Sequence, residues 1–414
     1  MSGTVSYSRR DFIALGTGAA LSAALVGQAQ TATPAAAPVI TRKIKLCLIG
    51  CGGRGSWIAA LFKKHGGYDI AGVADYFQSQ ADKAGDKLGI PADKRFAGLS
   101  AYKRLIESGV DAIAIESPPY FHPEQAAAGV AAGKHVYCAK PVAVDVPGCQ
   151  SIAASGKQAT GKKLCFLVDF QSRSTDLYIE ALQRVHAGAI GTIAFGESTY
   201  HAECPFSRYF DELGKNPNDP ELRLRAWGLD RALSGDIITE QNIHTLYVMN
   251  WVMRQPPLRA VGAGGITARP KTIGTCFDHF TGHFDYGDGV GVTFSSRQIE
   301  GHGTIPAGIR VRAFGSKGVL ETEYGGTVMI RGAEFFKGGK KSGIYQAGAE
   351  ANIAAFYRDI IAGNAANTTV EPSVQSNLIT ILGRTAAYTG QTIEWSKLIA
   401  STDRLEADLK GLKD

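Results

Sequence analysis

Apolar residues along this chain follow two rhythms, and the change between them lies near residue 172. Before it, short and nearly unbroken apolar runs alternate with segments of helical period. Ile44–Ile49, Tyr68–Ala74, Asp111–Glu116, His135–Cys138 and Leu164–Val168 are the runs. Between them lie Ser56–Lys64, Gln78–Leu88, Ala101–Ser108, a segment ending at Ala132, and Val146–Ala159. Runs of this kind, each leading to a helix, predict a parallel sheet with helices on both faces. After residue 172 comes one helix, Thr175–His186. Longer alternating segments follow: Thr192–Glu203, Arg259–Ile266, Cys276–Tyr286, Gly289–Arg297, Ile309–Phe314 and Gly318–Tyr324. These predict a mostly antiparallel, open sheet. The helix Gly235–Val252 interrupts them, and Glu350–Ile361 and Val374–Thr389 follow before a polar tail from Ser401. Gly332–Gly343, rich in glycine and lysine, reads as an exposed loop. The expectation is an α/β domain over 41–172 and an α+β domain over 173–414.

The first run gives that expectation its chemistry. Gly50, Gly52 and Gly55 have the G-x-G-x-x-G spacing directly after a strand, with Gly53 and Arg54 on the same turn. Gly50 permits the tight turn, Gly52 lets a pyrophosphate approach the backbone, and Gly55 lets the helix pack against the strand. The helix N-terminus that follows presents free N–H groups to phosphate. Asp75 ends the second strand, where a carboxylate binds a ribose 2′-hydroxyl and repels a 2′-phosphate. A Rossmann domain holding NAD, in preference to NADP, is the expectation. Residues just beyond strand carboxyl ends line the crevice of such sheets, which nominates Ser117, His122, Lys140 and Gln171.

The totals narrow the partners. Among 414 residues, 44 Lys and Arg against 38 Asp and Glu leave a net charge of +6, with no dense basic tract, so nucleic acid is not expected. Seven cysteines show neither C-x-x-C nor metal spacing, which argues against a disulfide framework. Ser8-Arg9-Arg10-Asp11-Phe12 precedes an apolar run to Val26 and then small residues. This reads as a twin-arginine signal peptide and linker over 1–40, predicting export to the periplasm. Its apolar run is too short to anchor the protein in a membrane.

Taken together, the order of motifs resembles the Gfo/Idh/MocA oxidoreductases. The residues that carry the resemblance are the glycine turn with Asp75, Ser117-Pro118 with His122, Ala139-Lys140-Pro141, Glu240-Gln241-Asn242-Ile243-His244, and Gly383–Gly390. The resemblance implies a dinucleotide domain followed by an open-sheet domain used for substrate and for contacts in a dimer or tetramer. Two departures stand out. The family usually has Glu-Lys-Pro where this chain has Ala139-Lys140-Pro141, and commonly Asp where Glu240 stands. Loss of the neighbouring carboxylate should leave a buried Lys140 easier to deprotonate.

Oxidising a carbinol needs a hydride acceptor over the C–H bond and a base at the O–H. The resemblance places Lys140 beside the nicotinamide, within reach of that hydroxyl. Lysine carries protons when desolvation lowers its pKa. His244 is the second base, and Glu240, one turn earlier on the same helix face, is expected to orient it or to bind substrate. Gln171, Arg173, Tyr200, His201 and Asn242 would face a polyhydroxylated ligand if the family layout holds. Glu240, His244 and His201 match no metal motif, so no metal is expected. The leading expectation is an NAD(P)-dependent oxidoreductase of a sugar, sugar derivative or polyol. Export implies a closed redox cycle with a tightly held cofactor. The alternatives are an NAD-dependent glycoside hydrolase, which the turn Cys51-Gly52-Gly53-Arg54-Gly55 resembles, and a non-catalytic sugar-binding protein.

Overall fold

The computed structural model describes residues 40–301, 303, 308–324, 326–340 and 343–414. The twin-arginine motif lies outside the described residues. The first half is built on six parallel strands, β1 (Ile44–Ile49), β2 (Tyr68–Asp75), β3 (Arg95–Ala97), β4 (Ala112–Ile115), β5 (His135–Ala139) and β6 (Phe166–Asp169). Their spatial order is β3-β2-β1-β4-β5-β6, with the crevice opening where the order reverses between β1 and β4. The helices α1 (Gly53–His65), α2 (Gln78–Leu88), α3 (Ala101–Ile106), α4 (His122–Ala131) and α5 (Val146–Gly161) alternate with the strands. All four residues of β4 and all four of β6 are buried, which is why these segments read as continuous apolar runs.

The helix α6 (Asp176–His186) leads into the second sheet. Its strands are β7 (Ile193–Ala202), β8 (Arg259–Gly265), β9 (His279–Asp285), β10 (Gly291–Gln298), β11 (Ile309–Gly315), β12 (Gly318–Glu323), β13 (Thr327–Gly332), β14 (Phe336–Lys340) and β15 (Ile393–Glu394). They run in the order β14-β13-β12-β11-β7-β10-β9-β8-β15, antiparallel except where β7 pairs parallel with β10. One face of this sheet packs on helices, and Gly196 of β7 lies against Met249 there. The stretch Gly332–Gly343 is not a loop throughout, because Phe336–Lys340 adds an edge strand to β13. Its glycines disguise it, lowering strand propensity.

Between β7 and β8 the chain forms α7 (Phe210–Lys215), α8 (Pro220–Arg225), α9 (Arg231–Ser234), α10 (Ile237–Glu240) and α11 (Ile243–Met253). The expected helix Gly235–Val252 is therefore two helices, separated at Gln241–Asn242. Asp236, at φ 76°, caps α10 by accepting from the Ile237 amide at 2.6 Å. The last helices are α12 (Ile344–Ala362), α13 (Val370–Thr389) and α14 (Trp395–Ile399). Helix α12 begins earlier than expected and its Ile353, Phe356, Tyr357 and Ile360 complete the apolar core under β1 and α1.

The turn from β1 into α1 has no slack. Gly50 sits at φ +92°, and a Cβ on Gly55 would lie 1.9 Å from the Gly50 carbonyl oxygen. Gly55→Ala should therefore cost about 1–3 kcal/mol of stability through overpacking and weaken dinucleotide binding, readable by urea unfolding and by titration with NADH.

Candidate active site

A crevice of about 390 Å³ runs along the carboxyl ends of β1, β2 and β4. The glycine turn, Asp75, Ser117 and Pro118 line it, as expected. A Cβ on Gly52 or Gly53 would touch nothing within 4 Å, so the backbone there lies open to a phosphate. Helix α1 has no side-chain cap and no acidic residue in its first turn, which leaves its positive end unopposed. Asp75 accepts from the amides of Cys51 at 2.7 Å and Phe77 at 2.9 Å. It thereby fixes the turn and keeps its carboxyl group at the end of β2, on the crevice wall. These residues fit a dinucleotide. Across the crevice, Phe206, Arg208, Tyr209, Arg225 and Trp227 form a roof, held together by the small apolar cluster around Leu213, Leu222 and Leu229. Nothing in the periodicity announced this roof.

His122 does not face the crevice. It is fully buried, its Nδ1 lying 2.8 Å from the Pro141 carbonyl and its Nε2 2.7 Å from the Ser117 carbonyl. Burial pushes its pKa down to about 4 against these two carbonyls. Its role is to tie the turn after β4 to the Lys140–Pro141 turn, whose peptide bond is cis.

Lys140 follows β5 and is buried. Its Nζ donates to the Glu240 carbonyl at 2.5 Å and lies 3.3 Å from Glu240 Oε1. Burial lowers its pKa, and the nearby Arg54 adds to the fall, while Glu240 opposes it. Glu240 therefore partners Lys140 and not His244, because the break after α10 carries it off the face of α11. His244 is 4% exposed and its Nδ1 has no hydrogen-bond partner. Burial first, then Lys140 and Arg54, hold its pKa well below the usual range, so the imidazole is neutral near pH 7. On the same turn Asn242 is fully buried with neither side-chain polar atom partnered. Unmet buried polar groups cost about 1–3 kcal/mol each, and a hydroxylated ligand would supply their partners.

The remaining nominees divide. Tyr200 is buried on the helix-facing side of β7, near enough to Glu240 for their charges to interact. His201, the next residue, points to the opposite face, where its Nε2 lies 3.0 Å from Ser295 Oγ. It is no crevice residue, because neighbouring strand residues alternate faces. Gln171 is buried and donates to Asp169 Oδ2 at 2.9 Å. Arg173 stacks its guanidinium over Tyr247 and Trp251, a packing role. Among the described residues no cluster of three or more His, Cys, Asp or Glu is placed to hold a metal ion, and no helix is long and apolar enough to cross a membrane.

Comparison with known proteins accounts for this layout. Residues 44–167 match the model of the oxidoreductase family with an NAD-binding Rossmann fold, and residues 178–321 match the GFO/IDH/MocA C-terminal domain. The chain belongs to the Gfo/Idh/MocA oxidoreductase family. Inositol 2-dehydrogenase of Salmonella paratyphi B is 28% identical over 150 residues, 36% of this chain and 43% of the relative. Glycosyl hydrolase family 109 protein 3 of Phocaeicola vulgatus is 25% identical over 190 residues, 44% of this chain and 33% of the relative. The chain thus spans less than half the length of these curated relatives. Among solved structures, myo-inositol 2-dehydrogenase from Lactobacillus plantarum superposes with a TM-score of 0.66 at 22% identity, covering 85% of this chain and 99% of that one. Aldose-aldose oxidoreductase from Caulobacter crescentus gives 0.66 at 19%, covering 85% and 100%. Both likenesses speak to the fold.

In this Gfo/Idh/MocA chain two buried carboxylates, Glu116 and Asp169, stand at the strand ends on either side of β5. Ala139 pairs with Asp169 across β5 and β6, and Glu116 follows Ile115, the partner of Cys138. Two carboxylates therefore flank the alanine that stands where the family usually has Glu. Arg54 spans the gap: its Nε lies 2.8 Å from Glu116 Oε2, and its guanidinium pairs with Asp169 and with the Tyr345 hydroxyl. Glu116 and Asp169 sit within apolar strand ends, so only their charge could have singled them out in the sequence. Burial, opposed by Arg54 and reinforced by Asp169, pushes the Glu116 carboxyl up to about 7. A carboxyl with a raised folded pKa contributes most below its unfolded value and loses that contribution as pH rises. The protein should accordingly lose on the order of 3 kcal/mol from this group between about pH 4.5 and 7. Glu116→Gln should flatten that slope in urea unfolding measured across the interval.

Proposed function

We propose that this protein is an NAD-dependent oxidoreductase of a sugar, sugar derivative or polyol, with its cofactor tightly held. The observation that carries the reading is the pairing of buried Lys140 with Glu240, within electrostatic reach of neutral His244 and of Arg54, which lines the glycine-rich crevice. Bound nicotinamide supplies the hydride acceptor and, in return, the donor. Lys140, deprotonated more readily because it is buried, takes the hydroxyl proton as the C–H hydride leaves and the carbinol becomes a carbonyl. His244, neutral and with a free ring nitrogen, takes the same proton onward or binds a neighbouring hydroxyl. Asn242 and Glu240 orient the polyol. Asp75 favours NAD over NADP. Inositol 2-dehydrogenases among the curated relatives support the substrate class.

Ser8-Arg9-Arg10 supports export by the twin-arginine route to the periplasm. There a closed cycle, in which a second carbonyl takes back the hydride, removes the need for free cofactor. The outer face of the second sheet exposes Phe195 and Val261, which suits a homo-oligomer contact. A second reading, redox-assisted glycoside cleavage, is favoured by the family 109 relatives. Release of free sugar from an aryl glycoside without net NADH would decide for it.

The direct test is to purify the protein without added cofactor, denature it and identify released dinucleotide by mass spectrometry. NAD(H) near one per chain is expected; a protein that neither carries nor binds dinucleotide overturns the reading. With a turned-over sugar in hand, Lys140→Ala should lower kcat by about 10²–10⁴. Glu240→Gln removes the carboxylate that raises the Lys140 pKa, so the rising limb of the kcat/KM pH profile for oxidation should move to lower pH. Ala139→Glu should move it upward.

A further inference from the structure

The tail beyond Ser401 is polar and forms no long helix, yet it is tightly engaged. Its contacts begin at α5 and then fall on elements at the two walls of the crevice. The Leu405 amide donates to Asp145 Oδ2 at 3.0 Å, at the start of α5. Further along, the chain contacts both floor and roof. On the floor, the Lys413 amide donates to the Tyr76 hydroxyl at 3.1 Å, and the Lys413 carbonyl accepts from the Leu99 amide at 3.0 Å. Asp414 accepts from the Ser100 hydroxyl. Gly98 is at φ +110°, and a Cβ there would come 2.5 Å from the Asp414 carbonyl oxygen. Gly98, Leu99 and Tyr76 all line the crevice next to Asp75. On the roof, Lys413 Nζ lies 3.6 Å from Glu221, and Asp408 lies 3.9 Å from Arg223, both on α8. Tyr76 itself donates to Glu221 at 3.0 Å, so one residue of the floor holds both roof and tail.

We propose that Leu405–Asp414 is a latch that closes the crevice at its Asp75 end, with Lys413 and Asp414 as positioning residues for Tyr76 and the Gly98–Ser100 turn. The inference rests on reading the crevice as a dinucleotide site. Its consequence is kinetic. Cofactor leaving by this end must first part α8 from the floor, which breaks the Tyr76–Glu221 hydrogen bond that the Lys413 amide steadies from the floor side, together with the Lys413–Glu221 and Asp408–Arg223 ion pairs. The exposed ion pairs at Glu221 and Arg223 add little by themselves; the amide and carbonyl of Lys413 give the latch its register. Retention of cofactor through many turnovers thus has a physical basis in the tail.

The test compares NADH release from the full chain with that from a chain ending at Ser401. Loss of NADH fluorescence is followed after mixing the loaded protein with excess NAD. At least tenfold faster release from the shortened chain is expected, with faster hydrogen exchange over 98–102. Should the shortened chain fail to fold by circular dichroism, Lys413→Pro removes the amide donor at full length and should also speed release. Unchanged release from a folded shortened chain, or from the folded Lys413→Pro chain, overturns the latch while leaving the cofactor reading intact. A full chain that takes up no NADH overturns both.

Discussion

One guanidinium holds the centre of this molecule together. Arg54 stands on the glycine turn, reaches across the ends of β4, β5 and β6, and meets Glu116, Asp169 and Tyr345. Carboxylates at strand ends this deeply buried are costly unless a cation answers them. Answering two at once requires a long, planar, permanently charged side chain, which lysine cannot replace. The same charge reaches Lys140 and His244, and it lowers the pKa of both. The glycine turn, the strand ends, Lys140 and His244 are thus coupled through a single side chain.

The parallel half of the fold was legible because burial on both faces writes an unbroken apolar run into each strand, and because glycine at 50 and 55 answers a steric demand that no other residue meets. Lys140 and His244 were nominated through the resemblance and not through periodicity, and the structure buries both near Arg54. Other features left no such trace. The break between α10 and α11 depends on Asp236, whose carboxylate also accepts from the Phe277 amide and the Tyr388 hydroxyl. Those partners lie far along the chain, and no local pattern announces them. The pairing of Glu240 with Lys140 follows from that break, so it could not be read from an i, i+4 spacing. His201 was misplaced because alternation along β7 assigns it to the opposite face from Tyr200, which the resemblance alone does not specify. The edge strand at Phe336–Lys340 is concealed by glycines whose conformations its neighbours dictate.

The two halves are also less separable than the change of rhythm at residue 172 suggests. Helix α13 packs against α5 as well as against β8, and the Asn377 side chain accepts from the Val142 amide just after Pro141. The turn that carries Lys140 is consequently braced by a helix from the far end of the chain. Polar bracing of this kind keeps a short turn in register without adding apolar bulk next to the site.

Helix α12 carries this interdependence further. Its Phe356 and Tyr357 rest on the face of the parallel sheet that α1 only partly covers, beside Phe62, Tyr68 and Tyr137. A chain emerging from the ribosome will have made all six parallel strands long before that helix exists. Until Ala362 is synthesised, an aromatic surface belonging to the first half stays wet and available to other molecules. The core of the first half is thus completed by a helix made late in synthesis.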